Sequence, residues 1–268
     1  MGDYMKLLEL NVHGAAAFPC NNGYKIPKWV VDEIIKQDAE CVVLTEFVVA
    51  KGWDYLQERL EHSEYNWFVS ANTGANGILI ALKKNEKYAF MQHPFKSSQI
   101  LGETGPDFAE LCFKFGEEDV SIIGIRIKND IKNEDPYYTF RQFVCLDNYL
   151  SSLRHKVICV GDFGTNWAER WKNESNNTLL QTAKTYDIYT PPYRGCDDWF
   201  SYVKFDGSKK IKMQCDHLIT NCRAENPSYD WSYIKESNGC VDLDKVFYNK
   251  LVGLPDHAIF KVDVDLSV

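Results

Sequence analysis

Apolar residues in this chain gather into short runs bounded by turn-forming residues, and several runs end abruptly in a polar group. Lys156-Val157-Ile158-Cys159-Val160 leads into Gly161-Asp162, and Cys41-Val42-Val43-Leu44 leads into Thr45-Glu46. Continuous apolar runs of this length read as buried strands. The pattern predicts strands near residues 5–12, 41–46, 66–71, 77–83, 87–93, 108–115, 119–127, 156–162, 199–205, 211–220, 231–235 and 257–265. Helical spacing falls between them. Pro27 stands at a helix start, and Trp29, Val30, Ile34 and Ile35 form one stripe, predicting a helix over 28–37. Phe143, Leu146, Leu150 and Leu153 predict a second over about 138–153, with shorter helices at 52–61 and 176–186. Helices and hairpins are mixed, and no repeat, low-complexity tract or long linker divides the chain. The expected fold is α/β (α+β), one domain over 1–268. Two mixed β-sheets pack face to face with helices outside, a four-layer α-β-β-α sandwich.

Composition adds bounds. With 268 residues, 45% hydrophobic and 25% charged, the chain has the makeup of an ordinary globular domain with a substantial core. No apolar run reaches the roughly 18 to 20 residues that span a bilayer, and residues 1–6 carry no secretory pattern. A cytoplasmic monomer without membrane attachment is the expectation. The nine cysteines are odd in number and lack C-x-x-C spacing, so Cys41, Cys112 and Cys159 read as small core hydrophobes. A formal net charge of −8 argues against broad contact with duplex DNA, since many phosphate contacts call for a basic face. Lys209-Lys210-Ile211-Lys212, after Asp206-Gly207, reads as the end of a hairpin.

The strand-end polar residues fall in a telling order. Leu8-Glu9-Leu10-Asn11-Val12-His13-Gly14 comes first and Val42-Val43-Leu44-Thr45-Glu46 second. Ile122-Ile123-Gly124-Ile125-Arg126-Ile127 follows, then Arg141-Gln142, Gly161-Asp162-Phe163, Gln214-Cys215-Asp216-His217-Leu218 and Pro255-Asp256-His257-Ala258. This series, spread over residues 5–265, resembles the endonuclease/exonuclease/phosphatase family of DNase I-like, metal-dependent phosphoesterases. The resemblance implies a hydrolase of phosphoester bonds, a nuclease or a phosphatase.

Phosphoester hydrolysis needs charge neutralisation at the phosphoryl oxygens, a nucleophile and help for the leaving group. A hard ion such as Mg²⁺, or Mn²⁺, keeps several waters and takes one or two carboxylates. The resemblance gives Glu46 as principal metal ligand, with Asp256 and the amide oxygen of Asn11 as outer or second ligands. It gives His257 as acid/base group, Asp216 as the carboxylate that fixes its tautomer, and Asp162 as the group aligning the attacking water. Arg126 suits phosphate through its paired donors and permanent charge. Arg194, in Pro191-Pro192-Tyr193-Arg194-Gly195, is a further substrate-contact candidate, while Trp199 and Phe200 read as core. His13, His62, His93, His155 and His217 read as structural, with His217 on the opposite strand face from Asp216.

The chain leaves the family pattern at three places. Gly164 stands where Asn is usual, Pro255 replaces Ser or Thr, and Arg126 takes the place of His. Asn166 is the nearest amide that could substitute as a substrate contact if the loop bends at Gly164. The expected activity is hydrolysis of a phosphodiester or phosphomonoester in a phosphorylated small molecule or a nucleic acid. A DNA endonuclease or exonuclease is the alternative within the family, and a catalytically weakened binding module is the alternative outside enzymology. Phosphate loops, nucleophile elbows, H-E-x-x-H and dinucleotide fingerprints are missing from the sequence.

Overall fold

Parallel strand pairs cannot be joined by a tight turn, so each must be fed by a crossover, and the described residues contain two such pairs. A computed structural model of the chain describes residues 3–14, 26–70, 76–97, 101, 105–128, 137–164, 185–192, 199–206, 209–237 and 256–267. Strand β1 (Tyr4–Asn11) runs parallel to β2 (Cys41–Phe47), with α1 (Lys28–Lys36) between them in sequence. Strand β7 (Glu118–Arg126) runs parallel to β8 (Lys156–Asp162), with α3 (Tyr138–Ser152) between them.

Around these pairs two six-stranded mixed sheets are built. The first adds β3 (Tyr65–Val69), β4 (Gly77–Lys83), β13 (Arg223–Asp230) and β14 (Ile259–Asp265), in the order β13-β14-β1-β2-β4-β3. The second adds β5 (Tyr88–Ser97), β6 (Asp107–Phe115), β9 (Asp187–Tyr189) and β12 (Asp216–Thr220), in the order β5-β6-β7-β8-β12-β9. Strands β10 (Tyr202–Asp206) and β11 (Lys209–Met213) form a separate hairpin, as expected for the lysine-rich segment.

Each central strand is apolar on both faces because each sheet is covered twice. Strands β1, β2 and β4 lie across from β6, β7 and β8. Leu44, Ile80, Ile122, Ile158, Val160 and Leu218 belong to the main core, which also takes in Val30, Ile34 and Leu56 from α1 and α2 (Trp53–His62). Beneath α3, Phe143, Leu146 and Leu150 pack on Ile123, Ile125, Val157 and Cys159. The four-layer expectation is met. No helix among the described residues is long and apolar enough to cross a membrane.

Local expectations fail in two places. The segment 231–235 is not a strand; it leads into α4 (Ser232–Ser237), while the adjacent strand is β13. The run 211–220 is two strands in different structures, broken at Gln214-Cys215. Most of the helix expected at 176–186 lies outside the described residues. Phe200 is buried in the core, and Trp199 packs against it, as expected.

Candidate active site

The carboxyl ends of both parallel pairs meet at one rim, where open sheets present their ligand-binding residues. Asn11 ends β1, Glu46 lies at the end of β2, Arg126 ends β7 and Asp162 ends β8. Asp216 opens β12 directly opposite Asp162, and Asp256-His257 precede β14. Alternation sets these directions: Ile125 and Ile127 turn into the core under α3, leaving Arg126 on the opposite face, toward the site.

Asn11 joins the two sheets at the rim. Its Nδ2 donates to Glu46 Oε1 at 3.2 Å and to Asp162 Oδ2 at 2.9 Å. Its amide oxygen, expected toward the metal, accepts the His13 backbone N–H at 2.9 Å. Asn11 is 1% exposed, so these bonds are shielded from competition with water. The chain beyond Asn11 curls around Glu46, with the Gly14 N–H donating to the Glu46 carbonyl. Glu46 and His13 both have left-handed backbones, at φ 49° and 51°. Non-glycine residues held this way cost about 1–3 kcal/mol each and cluster at functional sites.

His257 is held from all sides. Its Nδ1 lies 2.8 Å from Asp216 Oδ2, the Tyr233 hydroxyl donates to its carbonyl, and the Tyr202 ring is 4.9 Å from its own. Burial alone would lower its pKa, but the charge and hydrogen bond of Asp216 win and raise it well above the ordinary histidine range. Asp216 thus favours the protonated ring. Asp216 is fixed in turn by Ser201 Oγ, which accepts its backbone N–H, and by the Tyr229 hydroxyl on its carbonyl.

Asp162 is pushed up to about 6, first by burial and then by the Asp216 charge, against the pull of His257, the Gly164 N–H and Arg126. The Gly164 N–H donates to Asp162 Oδ1 at 2.7 Å. Gly164 is thus a backbone partner of the site, with φ of 61°. Asn166 and Arg194 lie outside the described residues. Gly161 is required just before Asp162, because a Cβ there would stand 1.9 Å from the Ile125 carbonyl oxygen.

Arg126 is placed between carboxylates. Its Nε is 2.9 Å from Glu46 Oε1, and its Nη1 donates to Asp107 Oδ2 at 3.1 Å. Burial alone would make it less basic, but Glu46 and Asp107 keep it fully charged. Asp107 is its cross-strand partner on β6 and escaped the sequence reading, as did Asn76, whose amide is 3.5 Å from Glu46 Oε2. His13, expected to be structural, also belongs to the site: its Nδ1 lies 3.3 Å from Asp256 Oδ1 and 3.9 Å from Glu46 Oε2. A hint was available in its position two residues after Asn11. His217 is where it was expected, on the far face, bonded to Thr190 Oγ1 at 2.8 Å and beside Phe163.

The donor set suits a hard divalent cation. Glu46 Oε2 and Asp256 Oδ1 both lie within 4 Å of one nitrogen, that of His13. Asp256 Oδ1 is buried and makes no hydrogen bond. Among the described residues no three His, Cys, Asp or Glu side chains converge into a closed cage. A hydrated hard ion takes one or two carboxylates and does not need such a cage.

No protein-family model and no curated protein matches the sequence. Solved structures match through the fold. D. rerio TDP2 complexed with single-strand DNA product superposes with a TM-score of 0.66 at 12% identity, covering 98% of this chain and 99% of that one. ANGEL2, a 2′,3′-cyclic phosphatase in complex with adenosine-2′,3′-vanadate, gives 0.63 at 11% identity over 99% and 97% of the two chains. The 3′ phosphatase NExo from Neisseria, bound to product DNA hairpin, gives 0.63 at 13% identity over 97% and 99%. The chain shares the fold of these solved structures, as the order of motifs led us to expect. TDP2, ANGEL2 and NExo are among the structures it resembles, and at these identities the likeness is one of fold.

Proposed function

We propose that this chain is a divalent-metal-dependent phosphoesterase that hydrolyses a phosphoester at the end of a nucleic acid or in a nucleotide. One observation carries the reading. A buried carboxylate–imidazole pair, Asp216–His257, stands at the same rim as Asp162 and as the Glu46–Asn11–Asp162 link between the sheets. The solved relatives support the substrate class, since they are described with DNA products or as cyclic or 3′ phosphatases.

Glu46 and Asp256 would hold the ion, which when bound supplies positive charge at the phosphoryl oxygens and lowers the pKa of water. Asn11 holds Glu46 and Asp162 in register. Asp162, ionised above about pH 6, accepts a hydrogen bond from the attacking water and aligns it. His257 as imidazolium donates toward the phosphoryl or leaving oxygen, and Asp216 keeps the ring oriented. Arg126 adds a fixed positive charge that a phosphate can share with Glu46 and Asp107.

Hydrolysis of a 2′,3′-cyclic nucleotide, a 3′-phosphorylated oligonucleotide and a chromogenic phosphodiester should be measured with Mg²⁺ or Mn²⁺. Turnover on at least one is expected, and EDTA, Glu46→Ala and His257→Ala should each remove 10²-fold or more, as roughly expected for loss of a site group. Absence of turnover on all three, with no metal-dependent thermal shift, would overturn the reading.

A further inference from the structure

A cavity lies on the far side of the first sheet from the rim residues. Asn11 reaches Asp162 of the second sheet, so the alternate positions on β1, Lys6 and Leu8, face away from that sheet. Lys261 of β14 stands opposite Leu8, and Ser228 of β13 stands opposite Lys261, so both share this outer face. Helix α1 ends at Lys36, with Gln37 as its cap. Strand β13 bulges between Glu225 and Ser228, where Asn226 has a left-handed backbone at φ 56°. These residues line a cavity of about 300 Å³ between the helix end and the bulge, at the lower end of small-molecule sites.

The lining offers more donors than acceptors. Among the described residues the Lys6 amine and the Ser228 hydroxyl make no hydrogen bond or ion pair. Lys261 Nζ donates to Asp230 Oδ2 at 2.7 Å and to Gln37 Oε1 at 3.4 Å, and an ammonium has a third N–H to give. The Gln37 amide donates to Glu33 Oε1 and keeps a second N–H. On the acceptor side, Asp263 Oδ2 already takes Asn226 Nδ2 at 3.0 Å. Two ammonium groups thus line the cavity against one carboxylate, in a chain whose net charge is −8.

A ligand that answers this lining is an anion rich in acceptor oxygens. The donors come from β1, β14, β13 and the end of α1, so they converge from several sides and not in one plane. That arrangement suits a tetrahedral phosphate better than a flat carboxylate, and lysine binds phosphate as a point charge. Leu8 and Ala39 add apolar surface for an organic remainder. We propose that this cavity is a second ligand site, for a small phosphomonoester, with Lys6, Lys261 and Ser228 at the phosphate. It stands whether or not the rim hydrolyses a phosphoester, because it uses none of the rim's residues.

Titration calorimetry on the full chain in EDTA, with ribose 5-phosphate, inorganic phosphate and ribose as probes, tests this. Ribose 5-phosphate should bind at millimolar concentration or below, phosphate more weakly, and ribose not at all. Lys6→Ala combined with Ser228→Ala should weaken ribose 5-phosphate about tenfold or more, the fold-change of one charged hydrogen bond. Arg126→Ala, which removes a cation from the rim, should leave that binding unchanged. No binding of ribose 5-phosphate overturns the proposal, as does full affinity in the Lys6/Ser228 variant or loss of binding in Arg126→Ala. Equal affinities for ribose 5-phosphate and phosphate would overturn the phosphomonoester in favour of the ion itself.

Discussion

Asp162 and His257 are pushed in the same direction for different reasons, and the difference sets the rate profile. Asp162 rises to about 6 chiefly through burial, which penalises its anion. His257 rises because Asp216 stabilises its cation against burial. Aligning water needs the Asp162 carboxylate, so kcat should climb as pH rises through about 6 and then hold until His257 loses its proton well above the usual histidine range. Asp162→Asn should flatten the acid limb at a lower rate. A pH–rate series on both proteins checks this, and an acid limb that survives in Asp162→Asn assigns it elsewhere. The sequence showed this pair well, because both residues follow or precede recognisable apolar runs. It could not show Asp107 or Asn76, whose parts are defined by what stands opposite them in space, and it gave only a hint of His13. Gly164 was read as a loss, yet its backbone N–H is a partner of Asp162 that no side-chain pattern could have revealed.

Among the elements, β6 carries a buried polar cluster that ties it to β5, β7 and α3. The Glu110 side chain is fully buried and accepts from Lys96 Nζ at 2.8 Å, from Ser121 Oγ at 2.6 Å and from the Tyr149 hydroxyl of α3. Burial would raise its pKa, but these three donors together hold it below the usual glutamate value. A depressed carboxyl stabilises the fold above its unfolded pKa, and the contribution fades as pH falls through the folded value. Glu110→Gln should cost about 1–3 kcal/mol at neutral pH and flatten the decline of stability in acid. Denaturant midpoints measured at neutral and acidic pH give both numbers, and equal acid sensitivity in the two proteins would count against the assignment. The misread elements have local causes. Strand β13 runs Arg-Ala-Glu-Asn-Pro-Ser-Tyr-Asp, with no alternation to detect, and is an edge strand made by pairing with β14 across a bulge. Residues 231–235 are aromatic and apolar at strand-like density, but Trp231 and Tyr233 bury themselves from a helical turn instead. A local pattern reports burial more reliably than it reports the partner.

Across the whole molecule, the two-sheet architecture was legible because buried central strands leave long apolar runs, and motif order located the rim. Pairing was not legible, since β1 lies between β2 and a strand more than two hundred residues away, with Tyr4 opposite Asp265. That closure has a consequence for timing. The ribosome makes β1 first and β14 last of the strands described, and His257 arrives only just ahead of β14. A growing chain thus carries most of its site acids before His257, and its first sheet waits for its missing strand. Hydrolysis by nascent chains stalled at successive lengths should switch on only when the segment through β14 has cleared the exit tunnel, and turnover from shorter chains would refute it. Until β14 has emerged, the proposed site lacks its closing strand and phosphoesters nearby are left uncut.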